Sequence, residues 1–201
     1  MPNGHNNNER FGATPGRPRS EQSKTAVLRT TSRLLREVGL SAMTTEQIAA
    51  QSGTSKATIY KWWHNKFAVA VEAFLSELHT ESADPDTGSA VRDFELVLRG
   101  VMRFYDSDGG RVFAELVGQA QSNPVIEVEL REHLIQSRRD VGRKIWSRGV
   151  ERGELRADVD VEIALDLIFG PAMYRLVASH DPLDDATADA VIAAVMRGLA
   201  R

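Results

Sequence analysis

Apolar residues recur at helical spacing along almost the whole chain. Val27, Thr31, Leu34, Leu35 and Val38 form a stripe that predicts a helix over about 21–38, ended by Gly39. Ile48 and Ala49 mark the apolar side of a short second helix, opened by Thr44 and Gln47 at capping-box spacing. Gly53 supplies a left-handed turn, and Thr54 or Ser55 caps a third helix on which Ile59 and Trp63 share a face. Val69, Ala70, Ala73, Phe74 and Leu78 predict a fourth helix from 66 to about 80, followed by the polar linker ESADPDTGS. Val91, Phe94, Leu98, Val101 and Met102 place a helix over about 90–105, which Gly109 and Gly110 should break. Val112, Phe113, Leu116 and Val117 then carry a shorter helix to about 121. Asn123 and Pro124 begin a long helix with Leu130, Leu134, Val141, Ile145 and Trp146, closed by Gly153. A helix over 161–178 carries Ala164, Leu165, Ile168, Ala172 and Leu176, with a kink expected at Gly170–Pro171. The last spans 184–199 with Ala190, Val191, Ala194, Val195 and Gly198. No segment alternates with a period of two over any length, and there is no repeat or heptad run. The predicted fold class is all-α.

Length narrows the organisation. With 201 residues the chain suits a small N-terminal three-helix domain over 20–66 and a larger helical domain over 67–201, preceded by a disordered basic arm over 1–19. The arm is rich in Asn, Gly and Pro. The absence of cysteine excludes disulfides, thiolate catalysis and thiolate metal ligands, and it fits a reducing cytoplasm. No uninterrupted apolar stretch reaches the roughly eighteen residues of a membrane span, and the N-terminus lacks an apolar signal core.

Catalysis finds little support. His5, His64, His79, His133 and His180 are scattered, without the spacing of a metal-binding pair. Gly109–Gly110 lacks the Gly-Lys-Ser/Thr of a phosphate loop. Asp158, Asp160, Asp184 and Asp185 lie where acids complement helix N-termini. No enzyme, cofactor or metal is expected.

Charge is divided unevenly. Residues 1–66 hold ten Lys/Arg against four Asp/Glu, a net +6, while 67–201 hold fifteen against twenty-four, a net −9. A near-neutral chain therefore has a basic first third suited to a polyanion. On the third helix Ala57, Tyr60, Lys61 and His64 follow the 0, 3, 4, 7 spacing of a face other than that of Ile59 and Trp63. Small, cationic and hydrogen-bonding side chains on one face suit a helix lying in a DNA major groove. Helices two and three thus read as helix-turn-helix, with the ordinary helical hairpin as the alternative.

The stretch resembles the DNA-binding domain of TetR/AcrR-family transcription regulators. Its recognition segment here runs Ser52, Gly53, Thr54, Ser55, Lys56, Ala57, Thr58, Ile59, Tyr60, Lys61, Trp62 and Trp63, and Lys66 opens the next helix. The departures are Thr54 for an apolar residue, Ala57 for Gly, Trp62–Trp63 for His-Phe, and Phe67 for a frequent acid. Trp62 either stacks on sugar-phosphate or covers the domain surface. In this frame Ser55, Lys56, Thr58, Tyr60 and Lys66 hold phosphates, and Ala57 and Lys61 approach base edges. Thr44, Thr45 and His64 complete the DNA-facing set, while Arg17 and Arg19 of the arm can enter an A·T-rich minor groove.

The resemblance further implies a homodimer built from the last two helices, whose small residues (Ala164, Gly170 and Ala172, then Ala186, Ala190, Ala193, Ala194 and Gly198) permit close approach. It implies double-stranded DNA with a palindromic operator as partner, repression, and release by a small molecule. Met102, Tyr105, Phe113, His133, Trp146, Phe169, Met173 and Tyr174 are candidate walls for an apolar or aromatic effector. Arg103 or Arg175 would pair with a carboxylate on it. The alternatives are intrachain packing of the last helices, and a constitutive or architectural DNA-binding protein without a sensor.

Overall fold

The computed structural model describes residues 17–78 and 84–200. These residues form ten α-helices, in order α1 Arg17–Ala42, α2 Thr45–Ser52, α3 Lys56–Trp62, α4 Lys66–Leu78, α5 Ala90–Tyr105, α6 Asp108–Ala120, α7 Pro124–Leu130, α8 Gln136–Glu151, α9 Val161–Ala178 and α10 Asp185–Leu199. Among the described residues the sole β-type pairing is an isolated bridge between Leu155 and Ala200. The protein is all-α. None of the described helices is long and apolar enough to cross a membrane.

Local signals account for most helix starts. Thr44 and Gln47 form a reciprocal capping box on α2, and the Ser55 hydroxyl accepts from the Thr58 amide at the start of α3. Asn65 Oδ1 accepts from the amides of Phe67 (2.8 Å) and Ala68 (2.9 Å), capping α4. Asn123, Asp160 and Asp184 cap α7, α9 and α10. The acids expected at helix starts thus include two that are caps in their own right.

Helix α1 packs across α2, α4 and α6, and α10 lies against α5 and α9. Val27, Leu34, Leu35, Met43, Ile48, Ile59 and Trp63 fill the small domain, and the buried residues continue without a break into Phe94, Leu98, Met102, Phe113 and Ile126. Val38, expected in the α1 stripe, is exposed. Gly39 explains this: at φ 76° and ψ 166° it ends the regular helix before the chain makes one more turn to Ala42.

Two sequence expectations need correction. Gly109 and Gly110 do not break a helix; they lie in the first turn of α6, behind the Ser107 cap. A Cβ on Gly110 would stand 2.1 Å from the Tyr105 carbonyl oxygen, so this glycine permits a close crossing with the end of α5. The long helix from Pro124 is not uniform either, since Arg131–Ile135 is a π-helical turn between α7 and α8. Such a turn inserts a residue into the helical ladder and rotates the faces that follow. Gly170 and Pro171 lie inside α9, which continues through both.

Helix α9 is locked to α8 by charge. Arg139 Nε and Arg143 Nε each reach Glu162 at 2.6 Å, and Arg139 Nη1 reaches Asp166 at 2.7 Å. These guanidinium bonds hold the Glu162 carboxyl down at about 2.

Candidate nucleic-acid interface

Two short helices cannot make a core by themselves, so their angle must be fixed by what lies beneath. Gly53, at φ 67° and ψ 19°, takes the left-handed conformation, and its amide and that of Thr54 both donate to the Ala49 carbonyl. Ile48 of α2, Ile59 of α3 and Trp63 are buried with Val27, Leu34 and Met43. Trp63 Nε1 donates to Glu72 of α4 at 2.5 Å. Lys24 of α1 pairs with Glu72 at 2.8 Å and lies 5.9 Å from the Trp63 ring centroid. One indole thereby ties α1, α3 and α4 together. Trp62 meets Trp63 edge to face at 5.5 Å and packs partly buried against the same core.

With that face occupied, Ala57, Tyr60 and Lys61 of α3 project outward, and Tyr60 is 51% exposed. Lys61 has no hydrogen-bond or ion-pair partner among the described residues. His64 is exposed too, but α3 ends at Trp62 and Trp63 is extended, so His64 stands in the following loop and not on a fourth helical position. Ser55 and Thr58 share a hydrogen bond of 2.9 Å between their hydroxyls. Lys56 pairs with Glu46 of α2 at 2.7 Å, which holds the Glu46 carboxyl below its ordinary range. A phosphate must therefore compete with Glu46 for this lysine.

Two expected DNA contacts are less open than expected. Thr45 is largely buried, although Thr44 beside it is exposed. Lys66 points back into the domain. Its ammonium donates to the carbonyls of Leu40 (3.0 Å), Ser41 (3.1 Å) and Met43 (2.9 Å), which uses all three protons. It closes the C-terminal turn of α1, where helix carbonyls lack partners, and is not presented to a phosphate. Arg17 and Arg19 belong to the first turn of α1, while the arm before them and their own side chains lie outside the described residues. A cation not singled out from sequence, Arg33, bonds Gln51 of α2 at 2.7 Å and Glu37 at 3.2 Å.

The expected effector wall does not form one surface. Met102, Tyr105, Phe113 and Trp146 are buried, whereas Tyr174 is 66% exposed on α9, its ring 4.7 Å from that of His180. Phe169 and Met173 are half-buried, with Phe169 edge-on to Phe94 at 6.4 Å. The side chain of His133 lies outside the described residues. What does gather is an aromatic stack under α6: Phe74 and Tyr105 lie 5.8 Å and 5.5 Å from Phe113, and Phe104 lies 5.9 Å from Tyr105. Arg138 of α8 covers the Phe104 ring at 5.1 Å. Burial pushes the Tyr105 hydroxyl above the ordinary phenol value, and the Arg138 guanidinium partly offsets it. Arg138 was not legible as an inward residue, because the π-turn before it rotates the α8 faces. Of the two arginines expected to meet a carboxylate, Arg103 pairs with Asp185 and Arg175 with Asp181. A cleft of about 190 Å³ opens elsewhere, between α1 and α6, beside Leu35, Gly39, Val112 and Glu115.

The outer face of α9 also differs from expectation, whereas α10 turns outward the small residues expected of it. Ala164 and Ala172 are buried within the chain. The outward stripe of α9 is Ile163, Leu167, Gly170, Tyr174 and Val177, and that of α10 is Ala186, Ala190, Ala193, Ala194 and Gly198.

Residues 27–73 match the family model for bacterial regulatory proteins of the tetR family, and residues 84–195 match that of the tetracyclin repressor-like C-terminal domain. The uncharacterized HTH-type transcriptional regulator YdeS of Bacillus subtilis is 41% identical over 170 residues, covering 85% of this chain and 86% of YdeS. The crystal structure of the TetR family transcription regulator SCO0332 superimposes with a TM-score of 0.77 at 31% identity, over 88% of this chain and 98% of that one. The regulator FadR from Bacillus subtilis, in complex with stearoyl-CoA, shares the fold with a TM-score of 0.67 at 19% identity, over 89% and 98% of the two chains.

Proposed function

The chain belongs to the TetR family of bacterial DNA-binding transcriptional regulators, and we propose that it is a homodimeric repressor released from a palindromic operator by a small molecule. The observation that carries the DNA half is the outward row of Ala57, Tyr60 and Lys61 on a helix pinned from behind by Trp63. One such helix reads only a few base pairs. A two-fold dimer places two of them about one DNA turn apart, which supplies the missing specificity. The outward apolar stripes of α9 and α10 are the surface for that dimer.

The test is selection of duplexes from a random pool. It should return a palindrome, and Lys61→Ala should relax preference at one or two symmetric positions while leaving the rest of the site intact. If the Lys61→Ala protein selects the wild-type sequence with undiminished preference, the assignment of Lys61 to base edges is wrong.

The effector half rests on family membership and on the aromatic stack beside Arg138. The structure of FadR is a complex with stearoyl-CoA, a molecule with a long apolar part and an anionic part. By analogy, an amphipathic or aromatic effector here would lie along Phe104, Tyr105 and Phe113 with a polar end at Arg138. A ligand favouring the non-binding conformation by about 2–3 kcal/mol lowers operator affinity some thirty- to 150-fold. A second reading, constitutive binding without a sensor, is favoured by how closely Met102 and Phe113 are packed. A thermal-shift screen of metabolites and drugs separates the two. Under the sensor reading at least one stabilising hit releases labelled operator, and a screen whose hits leave operator binding untouched favours the constitutive reading.

A further inference from the structure

Resting on the regulator reading, we propose that Glu115 of α6 is a positioning residue for DNA binding, which it serves by holding the turn that launches the helix-turn-helix. Its carboxylate accepts from the amides of Leu40 (2.9 Å) and Ser41 (3.0 Å) and from the Ser41 hydroxyl (3.2 Å). One turn later on the same helix, Gln119 Nε2 reaches that hydroxyl at 3.4 Å. The carbonyls of Leu40, Ser41 and Met43 leave the opposite side of the turn and meet the Lys66 ammonium. The turn is therefore held from both ends of its dipole, by an anion from the large domain and a cation from α4.

Two further features make the hold specific. Gly39 stands at φ 76°, and a Cβ on it would lie 3.1 Å from Glu115 Oε2, so the glycine both makes the turn and leaves room for the carboxylate. The held turn ends at Met43, and Thr44 immediately caps α2. A shift of α6 along α1 thus moves the start of α2 with nothing flexible between. Since α6 also carries Phe113 of the aromatic stack, one rigid element touches both regions.

Loss of position and loss of folding separate in DNA binding. Sequence-independent affinity comes from phosphate contacts, and sequence preference needs both recognition helices in register. Glu115→Ala should lower affinity for the selected operator about tenfold or more, roughly the effect of one net charge-assisted hydrogen bond. Affinity for a scrambled duplex of equal length should stay within about twofold. An operator-to-scrambled ratio equal to wild type overturns the proposal. Should Glu115→Ala lose its helical circular dichroism, Glu115→Gln decides by the same ratio, because it keeps the shape and one acceptor but turns an amide donor toward a backbone N–H. An unchanged ratio there overturns the proposal as well. If wild-type protein does not distinguish the two duplexes at all, the regulator reading fails, and the proposal falls with it.

Discussion

Replacing Leu167 with Glu is expected to yield a folded monomer that no longer holds its operator. Leu167 is 49% exposed on α9, in line with Ile163, Tyr174 and Val177, which are more exposed still. None of these four contributes to the chain's own buried core, so the substitution removes little intrachain packing. Surface changes of that kind alter stability by about half a kcal/mol. Within the proposed dimer the same position would be desolvated, and an unpaired carboxylate buried there costs about 2–5 kcal/mol. The outward face of α10 is mostly alanine and glycine, which allows two copies to approach closely. Ala194→Trp tests the same surface by overpacking. Each monomer would still touch one half-site, but single-helix reading falls back toward the non-specific range, so operator affinity should drop at least a hundredfold. Sedimentation velocity and operator titration should change together. A Leu167→Glu protein that remains dimeric, or a wild-type protein that binds its palindrome tightly as a monomer, refutes the arrangement.

What was legible in the sequence was local. The Thr44–Gln47 box, the left-handed Gly53 and the Ser55 cap depend on residues within four positions of one another, and all three are present. The assignments that failed depend on partners distant in sequence. Lys66 reads as a solvent-facing cation until the end of α1, some two dozen residues earlier, is brought under it. Thr45 follows a capping residue and is hidden only because α2 packs on α1. Helix α9 is apolar on both sides, so periodicity does not say which side is internal, and the small residues Ala164 and Ala172 proved to be the inner ones. The glycines of α6 look like a helix break and are instead the consequence of a crossing with Tyr105. Glu115 carries no sequence signal, since one more acid on a helix is usually solvated.

Replacing Lys66 with Ala destabilises the DNA-binding region without changing the number of phosphates it neutralises. Three carbonyls lose a charged donor at once. Each bond to a charged group is worth about 1.5–3 kcal/mol, but the site is only half-buried and water can replace part of the set, so the net loss is roughly 2–3 kcal/mol. For a chain of this size each kcal/mol lowers the thermal midpoint by about 2–4 °C, so a fall of roughly 4–12 °C is expected. Operator affinity falls as the turn before α2 loosens, but its salt dependence should keep the wild-type slope. That slope records released counterions, about 0.9 for each phosphate neutralised. The two roles of this lysine therefore predict opposite pairs of results. As the C-terminal cap of α1 it gives a lower midpoint with an unaltered slope. As a phosphate contact it gives an unaltered midpoint with a slope shallower by about one, and that outcome would show the ammonium leaving its three carbonyls when DNA binds. Lys66→Met keeps the apolar stem beside Phe67 while removing the donors, so it should reproduce the midpoint loss if the hydrogen bonds, and not the stem, hold the turn.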